Sequence, residues 1–190
     1  VEAAMAFIRG AVQIARVAYV SGNHEVNSGI NMHLAKKLAS AGVEVLNDKA
    51  TDLLKQEQKI RLIGMSDFSY CYSRFSSTPR LYGNVLKSLA SHPDQRFQIL
   101  LSHRPELLPL YARCGMDLAF CGHAHGGQIR LPLVGALFAP NQGIFSEYTS
   151  GVHQAGRTHM IVSRGLGNSR FPLRIFNRPE IVSVVLKAGK

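Results

Sequence analysis

Two histidines, His123 and His125, stand two residues apart between Gly122 and the pair Gly126–Gly127, in the stretch FCGHAHGGQ at residues 120–128. Neutral imidazole is the commonest metal ligand and suits Zn, Mn, Fe or Ni. In a continuing strand, residues two apart point to the same face, and glycines release the backbone so that it can approach a small target closely. The plainer alternative is a polar strand end with two solvated histidines. Two further stretches share the design, an apolar run that stops where a histidine appears. Residues 15–20, ARVAYV, end in Ser21-Gly22-Asn23-His24-Glu25, and residues 96–101, RFQILL, end in Ser102-His103-Arg104-Pro105-Glu106. Taken alone, SGNHE also reads as a loop with an Asx turn and a helix cap.

The elements that must position these groups read as alternating helices and strands. An Ala-rich helix is expected over residues 2–13, a strand over 15–20 and an amphipathic helix over 31–41, with Leu34, Leu38 and Ala41 inward and Gly42 as its stop. Strands follow at 43–46, 51–55 and 59–65. Residues 66–80 read as a long polar surface loop, in which Asp67 is either a site residue or, as a lone loop aspartate more often is, solvated. A helix over 81–91 carries Leu81, Val85, Leu86 and Leu89 as its apolar stripe. After the strand at 96–101, Pro105 suits the first turn of a helix that Pro109 shortens. The strand at 117–121 delivers the central stretch. Strand pieces at 145–149 and 158–163 and a last strand at 180–186 complete the pattern. A βα arrangement puts the ends of the three site-bearing strands on one edge of a parallel or mixed sheet, where the sites of α/β folds lie. Convergence of Asn23-His24, His103 and His123/His125 there argues for a metal centre more strongly than any one stretch does.

Composition sets the class. The chain has 190 residues, 46% hydrophobic and 18% charged, as a globular domain does. There are no internal repeats and no convincing boundary, so residues 1–190 are read as a single domain. Three widely spaced cysteines, Cys71, Cys114 and Cys121, form no CxxC and read as free thiols of a reducing compartment. No apolar run approaches the length needed to span a bilayer, and a cytoplasmic location with membrane association is expected. Net charge is +10, and residues 151–190 carry seven Arg and Lys against Glu180 alone. Such a segment favours phosphate groups, nucleic acid or an anionic membrane surface. The arginines form no dense basic block, which argues against nucleic acid, and a solvated face is the alternative.

In order, GNHE at 22–25, SH at 102–103 and GHAHGGQ at 122–128 resemble the last three metal motifs of the calcineurin-like metallophosphoesterases. The RGLG at 164–167 and RPEI at 178–181 are similar to a bacterial phosphodiesterase subgroup of that family, and the likeness runs from about residue 19 to the end of the chain. The resemblance implies a four-layer α-β-β-α sandwich of two facing mixed sheets. It implies a binuclear metal centre in which a bridging hydroxide attacks phosphorus in line. Asn23, His103 and His123 would hold one divalent ion and His125 the other, with Mn, Fe, Zn or Ni favoured over Mg. His24 would be catalytic, beside the leaving oxygen, with residues 21–25 as a tight loop. Arg164, Arg170 and Arg174 are the expected substrate-binding groups, since guanidinium suits phosphate. The substrate would be a phosphorylated small molecule or lipid, and peripheral membrane association suits the subgroup.

The family's early D-x-H and G-D-x-x-D motifs have no counterpart, for the first aspartate is Asp48. The chain is therefore expected to be the C-terminal part of a catalytic domain. Its metal-ligand set would be incomplete and an apolar edge open to a partner chain over the missing strands. The alternative function is a catalytically impaired family member acting as a binding or scaffold module.

Overall fold

The computed structural model of the chain describes residues 2–55, 57–69, 78–91, 96–131, 135–136, 138–139, 142–144, 146–167 and 173–187. The Ala-rich start forms α1 (Glu2–Ile14), followed by β1 (Ala18–Tyr19), the short α2 (Asn23–Asn27), α3 (Asn31–Ser40) and β2 (Glu44–Val45). A hairpin of β3 (Lys49–Lys55) and β4 (Gln58–Gly64) leads to α4 (Thr78–Ala90) and β5 (Gln98–Leu101). A 3-10 turn (Pro105–Leu107) then runs into α5 (Leu108–Arg113) and β6 (Leu118–Cys121). Beyond the site come the two-residue strands β7 (Arg130–Leu131), β8 (Gly135–Ala136), β9 (Phe138–Ala139) and β10 (Gly143–Ile144), then β11 (Gly151–Ala155) and β12 (Thr158–Val162).

The expected mixed α/β architecture is present. Six strands form one sheet in the order β11-β12-β6-β5-β4-β3, and β1 pairs with β2 in a separate parallel ribbon. The inner pairs β12–β6, β6–β5 and β5–β4 are parallel and the two edge strands antiparallel. Alternation along these strands makes two apolar faces. On one face Ile63, Leu100, Ala119 and Met160 lie side by side and pack with Tyr82 and Leu86 of α4 and Leu108 and Tyr111 of α5. On the other, Leu62, Ile99 and Leu118 pack with Leu46, Ala18 and Val20 beside the β1–β2 ribbon. The far side of that ribbon is covered by Met5 of α1 and Leu38 of α3. Three cores in succession give four layers, helices, ribbon, sheet and helices.

The two β layers come into close contact at Gly64. A Cβ there would lie 2.3 Å from the Leu46 carbonyl oxygen and 2.4 Å from the Leu46 Cβ, so only glycine fits. Because β4, β5 and β6 are parallel, their carboxyl ends fall on one edge, where β1 also ends. The chain leaves this edge at Ser66-Asp67, Ser102-His103 and Gly122-His123.

Several expectations are corrected. Residues 66–80 are not simply a surface loop: Ser66 and Asp67 are buried, α4 begins at Thr78, and residues 70–77 lie outside the described set. Leu81 is exposed, while Leu86 is buried as expected and Tyr82 is buried beside it, its hydroxyl 3.0 Å from Ser102 Oγ in the core. Residues 146–149 of the strand piece expected at 145–149 form no strand, residue 145 lies outside the described set, and β10 and β11 lie on either side. Residues 181–187 join no ladder. Ile181 and Val185 are about three-quarters exposed, for an alternating apolar run becomes a strand only where a partner edge is free. Cys114 and Cys121 are free and buried, while Cys71 lies outside the described residues. Among the described residues, no helix is long and apolar enough to cross a membrane.

Candidate functional site

Residues 21–25 are not a tight loop. The chain leaves β1 and turns at Gly22 into α2, so Asn23 and His24 sit in the first helical turn. Glu25 folds back to accept the Gly22 N–H at 3.0 Å, as in a capping box. The Ser21 N–H donates to Asn47 Oδ1 at 2.8 Å, tying this turn to the end of the ribbon.

His123 and His125 do not continue a strand. β6 stops at Cys121, and both histidines have left-handed backbone, φ 64° and 48°. They accordingly face different neighbours.

The inner half of the site joins three strand ends. His103 Nε2 lies 2.9 Å from Asn23 Oδ1 and 3.0 Å from His123 Nδ1. Such spacing is that of atoms that share one cation, because metal bonds to imidazole and to oxygen are each about 2.0–2.2 Å long. Arg104 Nη1 lies 3.2 Å from His123 Nε2. A guanidinium only donates, so Nε2 accepts and the ring proton sits on Nδ1, directed at His103 Nε2. His103 Nε2 then meets the Asn23 oxygen lone pair to lone pair, an electron-rich contact that a cation relieves. Burial pushes His103 down to about 4, and burial together with the Arg104 charge pushes His123 down to about 3, so both rings are neutral; ligation through His123 Nδ1 requires its proton to move to Nε2, with Arg104 Nη1 no longer donating there.

Behind these rings lies a charge pair in the core. Arg104 donates from Nε to Asp67 Oδ2 at 2.6 Å and from Nη2 to Asp67 Oδ1 at 3.0 Å, and its guanidinium lies 4.3 Å from the centroid of the Phe68 ring. Both side chains are nearly inaccessible. Burial alone would raise the Asp67 pKa, but the Arg104 hydrogen bonds outweigh it and hold the carboxyl below its ordinary range. The expectation of a solvated Asp67 is thus corrected. Glu106 lies 3.5 Å from Arg104 Nη1, and burial raises its pKa.

The outer half is more open. The His125 ring sits edge-on to that of His24, centroids 6.2 Å apart. Burial, then the nearby His24 and Arg174, lower the His125 pKa. Arg174 donates from Nη2 to the carbonyl oxygens of Arg164 and Gly167, while its Nε and Nη1 are buried without a hydrogen-bond partner. Arg164 is 3.5 Å from Glu180. Arg130 donates to the Gly126 carbonyl at 2.9 Å and feels the Arg164 charge. Arg174 and Arg164 therefore border the His125 side, and Arg170 lies outside the described residues.

Among the described residues, no three His, Cys, Asp or Glu side chains gather as they would around a metal ion. The inner donor set reaches three only with the Asn23 amide, and it fits one cation by atom type and spacing. The outer half has His125 as its expected ligand.

Sequence reasoning missed Arg104 and Arg130, and weighed Asp67 as a site residue only against the solvated reading it preferred. Asp67 carried a usable signal, since it follows a buried strand just as His103 and His123 do.

The chain is similar to several curated proteins. It is 33% identical over 171 residues to a Bacillus subtilis protein named uncharacterized metallophosphoesterase YkuE, covering 89% of this chain and 55% of that one. It is 31% identical over 167 residues to the Escherichia coli phosphodiesterase YaeI, covering 87% and 56%. A Danio rerio transmembrane protein with metallophosphoesterase domain is 28% identical over 171 residues, 89% of this chain and 38% of that protein. The chain thus spans little more than half the length of these two bacterial relatives. No family model and no solved structure matches it.

Proposed function

The chain belongs to the calcineurin-like metallophosphoesterases, and from that premise we propose that it serves metal-dependent hydrolysis of phosphodiester or phosphomonoester bonds. The reading rests on one observation above others: Asn23 Oδ1, His103 Nε2 and His123 Nδ1, from three separate strand ends, come within 2.9–3.0 Å steps of one another.

In this reading Asn23, His103 and His123 hold one divalent ion and His125 contributes to a second. Divalent ions at such a site supply an activated water and neutralise charge on phosphoryl oxygens. The protein's own part is orientation and charge. Without a bound ion, Arg104 holds the His123 ring through Nε2. Arg174, whose planar guanidinium suits two oxygens of a phosphate, lies near His125 with Nε and Nη1 buried and without a hydrogen-bond partner, and Arg164 accepts from it through its carbonyl. His24 is exposed on α2 with its ring edge-on to His125, which supports a role as the proton donor to a departing alkoxide.

The test is metal analysis and hydrolysis of bis(p-nitrophenyl) phosphate and p-nitrophenyl phosphate by the full-length gene product with Mn²⁺ or Zn²⁺. His123→Ala is expected to abolish hydrolysis and remove one bound ion. Retention of both ion and rate in His123→Ala sinks the assignment. A protein that binds no metal and turns over neither ester favours the scaffold alternative.

A further inference from the structure

Four successive residues after Ala124 are left-handed: His125 (φ 48°), Gly126 (68°), Gly127 (75°) and Gln128 (50°). Two of them are not glycine, and such residues persist only where the surroundings over-determine them. The surroundings here are residues 173–177. The Ile175 N–H donates to the Gln128 carbonyl at 3.3 Å and the Arg130 N–H to the Ile175 carbonyl at 3.0 Å, a short parallel bridge. Two residues on, the Asn177 side chain is buried, 2% exposed. Its Nδ2 donates to the His125 carbonyl at 2.6 Å and to the Gln128 carbonyl at 3.2 Å. One amide thus staples the first and last carbonyls of the left-handed run. Arg130 holds the carbonyl of Gly126 between them.

Two details make this contact specific. A Cβ on Gly126 would lie 2.2 Å from Asn177 Oδ1, so the amide occupies the space that glycine leaves. Phe176, between the two bonded residues, is itself left-handed (φ 50°) with its ring exposed. Its strain is held because Ile175 and Asn177 on either side are both bonded to the turn.

We infer that Asn177 is a positioning residue for His125: its amide fixes the strained turn and with it the direction of the imidazole. This rests on the reading that His125 ligates a metal ion. The strap that carries Asn177 also carries Arg174, so the ligand and the phosphate-facing guanidinium are held by one piece of chain.

The experiment compares wild type, Asn177→Asp, Asn177→Ala and His125→Ala as purified protein, by Co²⁺ titration and by the ring Cε1–Hε1 NMR signals of the histidines without metal. In Asn177→Asp a carboxylate oxygen replaces the N–H donor and faces two carbonyls, while Asn177→Ala only deletes the staple. Each Asn177 variant is expected to weaken the His125-dependent Co²⁺ about 10–100-fold, as loss of groups that orient a ligand does. Each is also expected to shift or broaden the His125 ring signal, with His103 and His123 unmoved. A general loosening would move all three histidines together and overturns the inference, as does a wild-type His125 signal in both variants. If His125→Ala leaves Co²⁺ binding unchanged, the metal reading fails, and the positioning inference is then decided by the ring signals alone.

Discussion

The inner and outer halves of the site are held by different means. His103 and His123 stand on strand ends over a packed core, with the Asp67–Arg104 pair behind them. His125 stands on a strained turn tied by hydrogen bonds from a strap at the surface. The inner half is set wherever the sheet is formed. The outer half depends on a few polar contacts that can loosen while the sheet stays intact. The comparison teaches that one ligand cluster can be rigid by packing on one side and by backbone bonding on the other, with different sensitivities to substitution.

The sharpest way to break this comparison is Asp67→Ala. It leaves the Arg104 charge buried without its partner, and loss of one member of a buried pair lowers stability by roughly 3–5 kcal/mol. Urea unfolding checks this, and a loss under about 1 kcal/mol means that the inner half is not held by its core. Acid separates the halves next. The unfolded chain binds protons at His103 and His123 once pH falls below about 6.5, whereas the native chain resists until about 4 and 3. Stability therefore falls from pH 6.5 towards 4, with a slope approaching one proton for each of the two rings. Urea midpoints at pH 7, 5.5 and 4.5 read it, and His103→Gln or His123→Gln is expected to flatten the slope. A midpoint independent of pH across this range contradicts their neutral burial.

Glu25→Ala bears on the hinge between the halves. It removes the bond to the Gly22 N–H at the start of α2, and loss of a cap of this kind costs about 0.5–2 kcal/mol. The smallest stability effect is expected from Arg174→Ala on the outer half, within about 0.5 kcal/mol. Its expected signature is kinetic instead, a KM for phosphate ester raised about tenfold with the fold unchanged. An Arg174 variant that unfolds the chain would erase the distinction between the halves.

Much of the inner half was legible in the sequence because its candidate groups follow buried strands, and the apolar runs announce those strands. The layered α/β order was legible for the same reason. Of the outer half, His24, His125, Arg164 and Arg174 were named from the sequence, but the turn that holds His125 was not legible. The turn at His125–Gln128 depends on Asn177, 52 residues from His125, and no periodicity links them. Asp67 was misjudged because a loop aspartate is solvated by default, and the partner that buries it, Arg104, comes 37 residues later. The run at 181–187 has the alternation of a strand and no ladder, since pattern states which face is apolar and not whether a partner edge exists.

The contact between Asn23 and His103 joins residues 80 apart in the chain. Closing a loop of that length brings no local reward, so this contact forms only after the β1–β2 ribbon and the six-stranded sheet have come together. Folding of the scaffold and appearance of the ligand cluster are therefore a single late event. A cation that binds only the assembled cluster stabilises the native chain by mass action without guiding early folding. Added metal should accordingly slow unfolding and leave the refolding rate nearly unchanged, which makes the cluster a reporter of the finished fold and not a nucleus for it.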